Sequence, residues 1–387
     1  MKVVLFGYYG YGNLGDEGIL TALVRHLPQV LPGVELTVLS ADPEETARRL
    51  GVAAVQRMSP WAVLKALAQS DGLIAGGGSL LQDSTSWLSP WYYLAVMSLA
   101  LFLNRPLLIL GQGIGPVTSS LTRRAIAWVV NRAQLVVVRD EDSRRTLLDW
   151  GVRRRVLVFP DLAWLFPSPD GKGWQQPTQG SRRVLAVNLR PWPGVDEVVP
   201  VVAQVCDQAV ARWGAEVVFI PMQGEALAIG RRLQDAMEEP ITLRSVPARV
   251  EELVLELSQV KATLAMRLHM VVFSLLAGAP ALGLAYDPKV EALAHRIQGG
   301  RLQLEGEGLR LLKWDEITKD RLSFQLQCLW QRGTVSEEVV STLRAEAQGG
   351  LRAVAAALLG KEGASCDRDL GNAHCPSHRG GGSGLDQ

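Results

Sequence analysis

The chain has 387 residues, 48% of them hydrophobic, with 40 basic and 39 acidic side chains and a net charge of +1. That length and apolar content predict a large core divided over two domains, and the balanced charge leaves no bulk attraction for nucleic acid or anionic lipid. Four cysteines, Cys206, Cys328, Cys366 and Cys375, are too few and too scattered for a disulfide framework and read as free thiols of a reducing compartment.

The first element is a strand over Lys2 to Phe6, reached without the basic start and apolar run of a signal peptide, so the expectation is a cytoplasmic protein. Short aliphatic runs follow in order: ELTVLS, GLIAG, PLLILG, LVVVRD and VLVFP, with longer segments of helical period between them. That alternation predicts a parallel sheet covered by helices. The most hydrophobic stretch, WYYLAVMSLALFLNRPLLIL at 91–110, is cut by Asn104, Arg105 and Pro106. What precedes the cut falls short of the roughly 20 residues that cross a bilayer, so it reads as a buried helix. A lipid-linked substrate would instead bring it to a membrane surface.

Residues 167–182, PSPDGKGWQQPTQGSR, lack apolar periodicity and read as a linker. The pattern then resumes with RVLAVNLR, EVVFIP, KATLAMR and PALGLAYD, separated by helical segments at 196–212, 226–237 and 248–258. Residues 316–359 are helical with a break near Gly333. The division is therefore 1–166, a linker, 183–345, a terminal helix at 346–359 and a polar, Gly-rich tail at 360–387 that has no means of building a core. In that tail Cys366, His374, Cys375 and His378 are metal-ligand types, but a neighbouring His-Cys pair does not match zinc spacing, and no metal site is expected.

In open α/β sheets ligands bind beyond the carboxyl ends of the strands, so the residues just after each apolar run carry the chemistry. In the first half they read GYYGYGNLGDE (7–17), AGGGSLLQD (75–83), GQGIGP (111–116), VRDEDS (138–143) and FPDLAW (159–164). In the second they read NLRPWPG, IPMQGE, MRLHM and AYDPK. Three glycine clusters in one domain exceed what turn geometry needs, and they point to backbone approached closely by a sugar or a phosphate-bearing ligand.

GYGNLG at 10–15 matches the G-x-G-x-x-G dinucleotide fingerprint, with Asp42 as the acid that would hold a ribose. Asp16 and Glu17, however, stand where a pyrophosphate would bind, and two carboxylates there repel it. No nicotinamide or flavin cofactor is expected. The cations lie in the second half: Arg190, then Arg267 beside His269, then Lys289. His269 is the one histidine directly at a strand end, which makes a cleft with anion-binding groups and a titratable acid.

At these residues the sequence resembles the polysaccharide pyruvyl transferase family, over roughly residues 1–345, through the ordered set GYYGYGNLGDE, AGGGSLLQD, GQGIGP, VRDEDS, MRLH and YDPK. The resemblance implies an α/β protein of two Rossmann-like doubly wound domains facing a cleft, as in GT-B glycosyltransferases. It implies phosphoenolpyruvate as donor and co-substrate, no cofactor or metal, and as acceptor a sugar, commonly lipid-linked, that receives a cyclic ketal. Cell-wall or surface polysaccharide biosynthesis at the inner face of the membrane, with a peripheral membrane contact, is the setting it implies.

The residue chemistry is in keeping with it. A carboxylate and a phosphate a few ångströms apart are received by two arginines and a lysine, so Arg190 and Arg267 are the donor clamp, with Leu268 between Arg267 and the general acid His269, and Lys289 on the departing phosphate. Arg139 is either a further anion contact or the partner of Asp140. Gly12, Asn13, Asp16, Gly77, Asp83, Gln112 and Asp161 form the acceptor side, and the base is one of Asp16, Asp83 and Asp161. The competing readings are a nucleotide-sugar glycosyltransferase, for which Glu291 is the one candidate to grip a ribose, and a non-catalytic sugar-binding protein.

Overall fold

A computed structural model describes residues 1–83, 86–167, 183–287, 290–293, 296 and 308–360. Lys289, most of the linker and the tail beyond Gly360 lie outside the described residues. The first domain is a seven-stranded parallel sheet in the order β3-β2-β1-β4-β5-β6-β7. Its strands are β1 (Lys2–Phe6), β2 (Glu35–Ser40), β3 (Ala53–Gln56), β4 (Gly72–Gly76), β5 (Leu107–Gln112), β6 (Leu135–Val138) and β7 (Val156–Val158). The second is a six-stranded parallel sheet, β10-β9-β8-β11-β12-β13. These are β8 (Val184–Asn188), β9 (Glu216–Phe219), β10 (Ile241–Leu243), β11 (Ala262–Ala265), β12 (Ala281–Ala285) and β13 (Leu309–Lys313).

Central strands are apolar throughout because helices cover both faces: all five residues of β4 and all six of β5 are buried. Each sheet reverses direction once, between β1 and β4 in the first and between β8 and β11 in the second. The crevices of the two domains therefore open beyond the carboxyl ends of those four strands.

In the first domain α3 (Pro60–Ala68), α4 (Ser89–Phe102), α5 (Ser120–Val130) and α6 (Glu141–Asp149) pack in one apolar cluster with the sheet. Tyr93, Leu94 and Met97 of α4 are buried in it, so the hydrophobic run at 91–110 is a core helix followed by a strand. On the opposite face lies α1 (Leu14–Val30), in a cluster that continues into the second domain through α9 (Val250–Leu257) and α10 (Leu268–Leu276). The last helix runs over Glu337–Leu358 and joins that cluster, packing back on the first domain. It begins just after the expected break near Gly333, where Ser336 caps it by accepting from the Val339 amide.

Candidate functional site

The glycine-rich turn after β1 is built by local rules. Gly10 (φ +80°) and Gly12 (φ +67°) take left-handed conformations, and a methyl on Gly10 would lie 2.2 Å from Ser40 Oγ. Asn13 caps α1, its Oδ1 accepting from the Gly15 amide at 3.1 Å. Glu17 accepts from the Gly10 amide at 2.8 Å and pairs with Arg49, so it clamps the turn. Asp42 caps the next helix through the Glu45 amide.

The third glycine of the fingerprint faces the other domain. A methyl on Gly15 would lie 2.0 Å from His269 Nδ1, so the imidazole occupies the space that any side chain there would need. His269 sits in the first turn of α10, directly after β11, and reaches across the junction. Its Nε2 lies 3.5 Å from Asp161 Oδ2, an ion-pair distance at which no aligned hydrogen bond has formed. Asp161 follows β7, accepts the Ala163 amide at 2.9 Å and faces Arg139 Nη1 at 3.3 Å.

Burial alone would raise the Asp161 pKa, but the His269 and Arg139 charges and the Ala163 amide outweigh it and hold the carboxyl at about 2. Asp16 behaves in the opposite way. It is 8% exposed, no described residue donates a hydrogen bond to it, and a methyl on Gly78 would touch its Oδ1 at 2.5 Å. Burial drives its pKa up to about 6, with the His269 and Arg267 charges opposing and Glu17 and Asp161 reinforcing the rise. Around one imidazole stand a carboxylate that stays charged and another that titrates near neutrality.

The arginines converge from the second domain. Arg267 stands immediately before α10, and its Nη2 donates to Glu225 Oε1 at 2.7 Å and Gln223 Oε1 at 3.3 Å. Arg190, just beyond β8, brings Nη2 to 3.9 Å from the same Glu225 oxygen and donates from Nη1 to the Tyr286 hydroxyl at 3.3 Å. The buried Nε of each arginine has no hydrogen-bond partner among the described residues. Burial and the neighbouring Arg190 charge lower the Arg267 pKa, against the pull of Glu225. Two guanidiniums held side by side on one carboxylate oxygen form a receptor for an anion with more than one negative oxygen. A cavity of about 260 Å³ lies between the domains, bounded by Gly113, Gly115, Arg139, Trp192 and Tyr286.

The remaining sequence-predicted residues divide. Gln112 is fully buried in β5 and donates to the Ala75 carbonyl at 3.2 Å, bracing two strands, while its Oε1 has no hydrogen-bond partner among the described residues. Gly77 is packed over Ile19, and the Leu268 side chain is buried core. Asp83 accepts from the Thr118 amide and hydroxyl, both at 2.7 Å; these bonds outweigh its slight burial and lower its pKa. It pins a loop. Arg139 is 6% exposed and bound to Asp140, Asp161 and Ser79, which favours the intradomain ion pair over a donor contact. Gly12 is exposed at the turn and open to a ligand.

Sequence reading missed Glu225, Gln223 and Tyr8. Tyr8 stacks on Tyr11 at 4.3 Å; burial raises its pKa, opposed by a hydrogen bond with Gln223 of the other domain. Their signal lay in the runs GYYGYG and IPMQGE, which mark strand ends without singling out a side chain. Glu291 pairs with Lys313 at 3.5 Å and so is already engaged. Among the described residues no cluster of metal-ligand side chains occurs, and no helix is long and apolar enough to cross a membrane.

Solved structures share this architecture. Anabaena Alr3699/HepE in complex with UDP-glucose superposes with a TM-score of 0.60 at 14% identity, covering 93% of this chain and 100% of that one. The Neisseria meningitidis UDP-GlcNAc 2-epimerase bound to UDP-GlcNAc gives 0.58 at 14% identity, covering 93% and 100%. A glycosyltransferase from Rickettsia africae gives 0.56 at 9%, covering 93% and 96%. At such identities the likeness shows the fold alone, which is GT-B-like with two Rossmann-like domains. A search of curated proteins finds no significant match. The family model for polysaccharide pyruvyl transferase matches residues 13–288, from the cap of α1 to the segment after β12. With most of its length so matched, the chain belongs to the polysaccharide pyruvyl transferase family and is a transferase.

Proposed function

We propose that the protein transfers pyruvate from phosphoenolpyruvate to a sugar of a cell-wall or surface polysaccharide precursor, forming a cyclic ketal and releasing phosphate. The observation that carries this reading is the convergence of Arg190 and Arg267 on one carboxylate oxygen beside the His269–Asp161 pair. In the loaded enzyme the donor's carboxylate and phosphate take over the guanidiniums from Glu225. Lys289, outside the described residues, is assigned to the departing phosphate.

His269 protonates the methylene carbon, which becomes the methyl group and leaves an oxocarbenium-like carbon at C2. Asp161 supports the imidazolium. One sugar hydroxyl adds to C2 and gives its proton to Asp16, whose pKa of about 6 suits a base near neutrality. The C2–O bond to phosphate then breaks, and the second hydroxyl closes the ketal. Of the two hydroxyl protons, one replaces that delivered to carbon and the other leaves with phosphate. No cofactor is required, and a cytoplasmic location follows from the donor.

The test is phosphate release from phosphoenolpyruvate in the presence of sugar acceptors, with a mass gain of one pyruvyl ketal on the acceptor. His269→Ala is expected to abolish both while the melting temperature stays near that of the wild type. Near-normal turnover in that variant overturns the mechanism. One competing reading is nucleotide-sugar transfer, since solved structures of the same fold hold UDP-sugars. A thermal shift with UDP and none with phosphoenolpyruvate decides for it.

A further inference from the structure

The first domain carries an unusual rim. Met58 and Trp61 stand at the start of α3, Trp87 and Leu88 just before α4, and Leu121 at the start of α5, each more than half exposed. The three helices lie side by side on one face of a parallel sheet, so their starts share the edge where the strands end. That is the edge of the turns at Gly10–Gly15 and Gly76–Gly78, on the acceptor side of the cleft. Buried in this rim, Arg57 donates to the Gly7 carbonyl at 2.6 Å and lies over the rings of Tyr11 and Tyr92, which fixes it to the sheet.

No Asp or Glu occurs in α3, α4 or α5, whereas Asp16, Glu17, Glu44, Glu45, Glu141 and Asp142 open the other helices of the domain. Between Met58 and Gln134 the acids are Asp71 and Asp83 alone. Asp71 lies at the opposite edge, accepting from the Lys2 amide, and Asp83 is taken up by Thr118. Of the bases in that span, Arg123 and Arg124 are exposed near the start of α5, at the rim, whereas Lys65, Arg105 and Arg132 lie at or beyond the far ends of α3, α4 and α5.

We propose that this rim docks on an anionic lipid bilayer. Indole rings and aliphatic tips on separate helix starts, with exposed Arg123 and Arg124 beside them and no acid in the helices that carry them, match what an interfacial surface requires. Anionic headgroups supply the countercharge that the protein's own surface lacks there. Docking by this edge turns the acceptor side of the cleft toward the membrane, the direction from which a lipid-carried sugar arrives. Vesicle binding itself does not depend on the pyruvyl-transfer reading.

The experiment is co-sedimentation of the full chain with vesicles of phosphatidylcholine alone or of equal parts phosphatidylcholine and phosphatidylglycerol. The wild type is expected to pellet with the anionic vesicles and to be released by salt. The triple variant Trp61→Ser, Trp87→Ser, Leu88→Ser should lose binding by about tenfold or more with an unchanged melting temperature. Arg123→Glu with Arg124→Glu, which leaves the apolar tips in place, should weaken binding to the anionic vesicles. Wild-type protein that stays in the supernatant overturns the proposal, and so do variants that pellet like the wild type. A dimer that the triple variant dissociates, without vesicle binding, assigns the rim to a second copy of the chain and equally overturns it.

Discussion

Asp16 and Asp161 both lie beside His269, yet their environments push them apart in opposite directions. Asp16 moves from 3.8 up to about 6, so between those pH values the folded protein holds a proton that the unfolded chain has released. Its contribution to stability is therefore greatest below pH 4 and is lost as pH rises through 6, by up to about 3 kcal/mol. Asp161, held at about 2, stabilises above pH 4 and loses that contribution as pH falls toward 2. Asp16→Asn should thus melt no lower than the wild type at pH 7.5, while turnover falls by about a hundredfold or more and the acid limb near pH 6 disappears. A pH–rate profile that keeps its limb in the variant moves the base elsewhere. Of this constellation, His269, Arg190 and Arg267 were legible because each follows an apolar run directly, where the strand-end rule looks. The choice of Asp16 over Asp83 and Asp161 was not, because it turns on burial and on which donors reach each carboxylate, neither of which has a sequence period. Glu225 was invisible for the same reason: its partners lie 35 and 42 residues away.

The strands that sequence reading missed, β3, β10 and β13, all lie at sheet edges, and of the four edge strands only β7 was found. Edge strands bury one side, so AAVQ, ITL and LRLLK lack the unbroken apolar run that marks a strand covered on both faces. The helical reading of 316–359 with a break near Gly333 holds, since one helix stops at Arg332 and the Ser336 cap opens the next at Glu337. What that helix does is tertiary. Gln134 donates to the Ala357 carbonyl at 2.8 Å, and a methyl on Gly349 would lie 2.7 Å from the Phe159 ring. Arg344 donates to the carbonyls of Trp164 and Phe166 at 3.2 and 3.1 Å, in the segment that follows Asp161. Arg344→Ala strands two acceptors on residues only 1% exposed, and should cost about 1–3 kcal/mol, read as a lower denaturant midpoint at constant slope. An unchanged midpoint would mean that water replaces the guanidinium and that the helix is held by its apolar face alone.

Two domains joined by a linker move relative to one another by default, unless the seam between them is large and apolar. Here it is apolar. One cluster of buried side chains runs from α1 through the turn at Leu162–Leu165 into α9 and α10, and the Leu14 amide donates to the Met222 carbonyl across the junction at 3.2 Å. Phe273 is the centre of the seam. Its ring meets Phe166 edge-on at 5.7 Å and fills the space above Gly18, where a methyl would lie 2.5 Å from it. It lies on the same helix as His269, one turn further along, and its ring stacks against the imidazole at 6.3 Å. The placement of the imidazole against Asp161 therefore depends on the seam as a whole. Calorimetry of the wild type should show a single cooperative transition, because neither domain can unfold without exposing the other's core. Phe273→Ala opens a cavity and should cost about 3–5 kcal/mol. The loss falls on the coupling between domains, so the transition should split in two, and turnover should fall although every charged group of the site is still present. A variant that melts in one step with normal turnover would show that the seam does not hold the proposed catalytic pair together, and would leave that task to the returning helix.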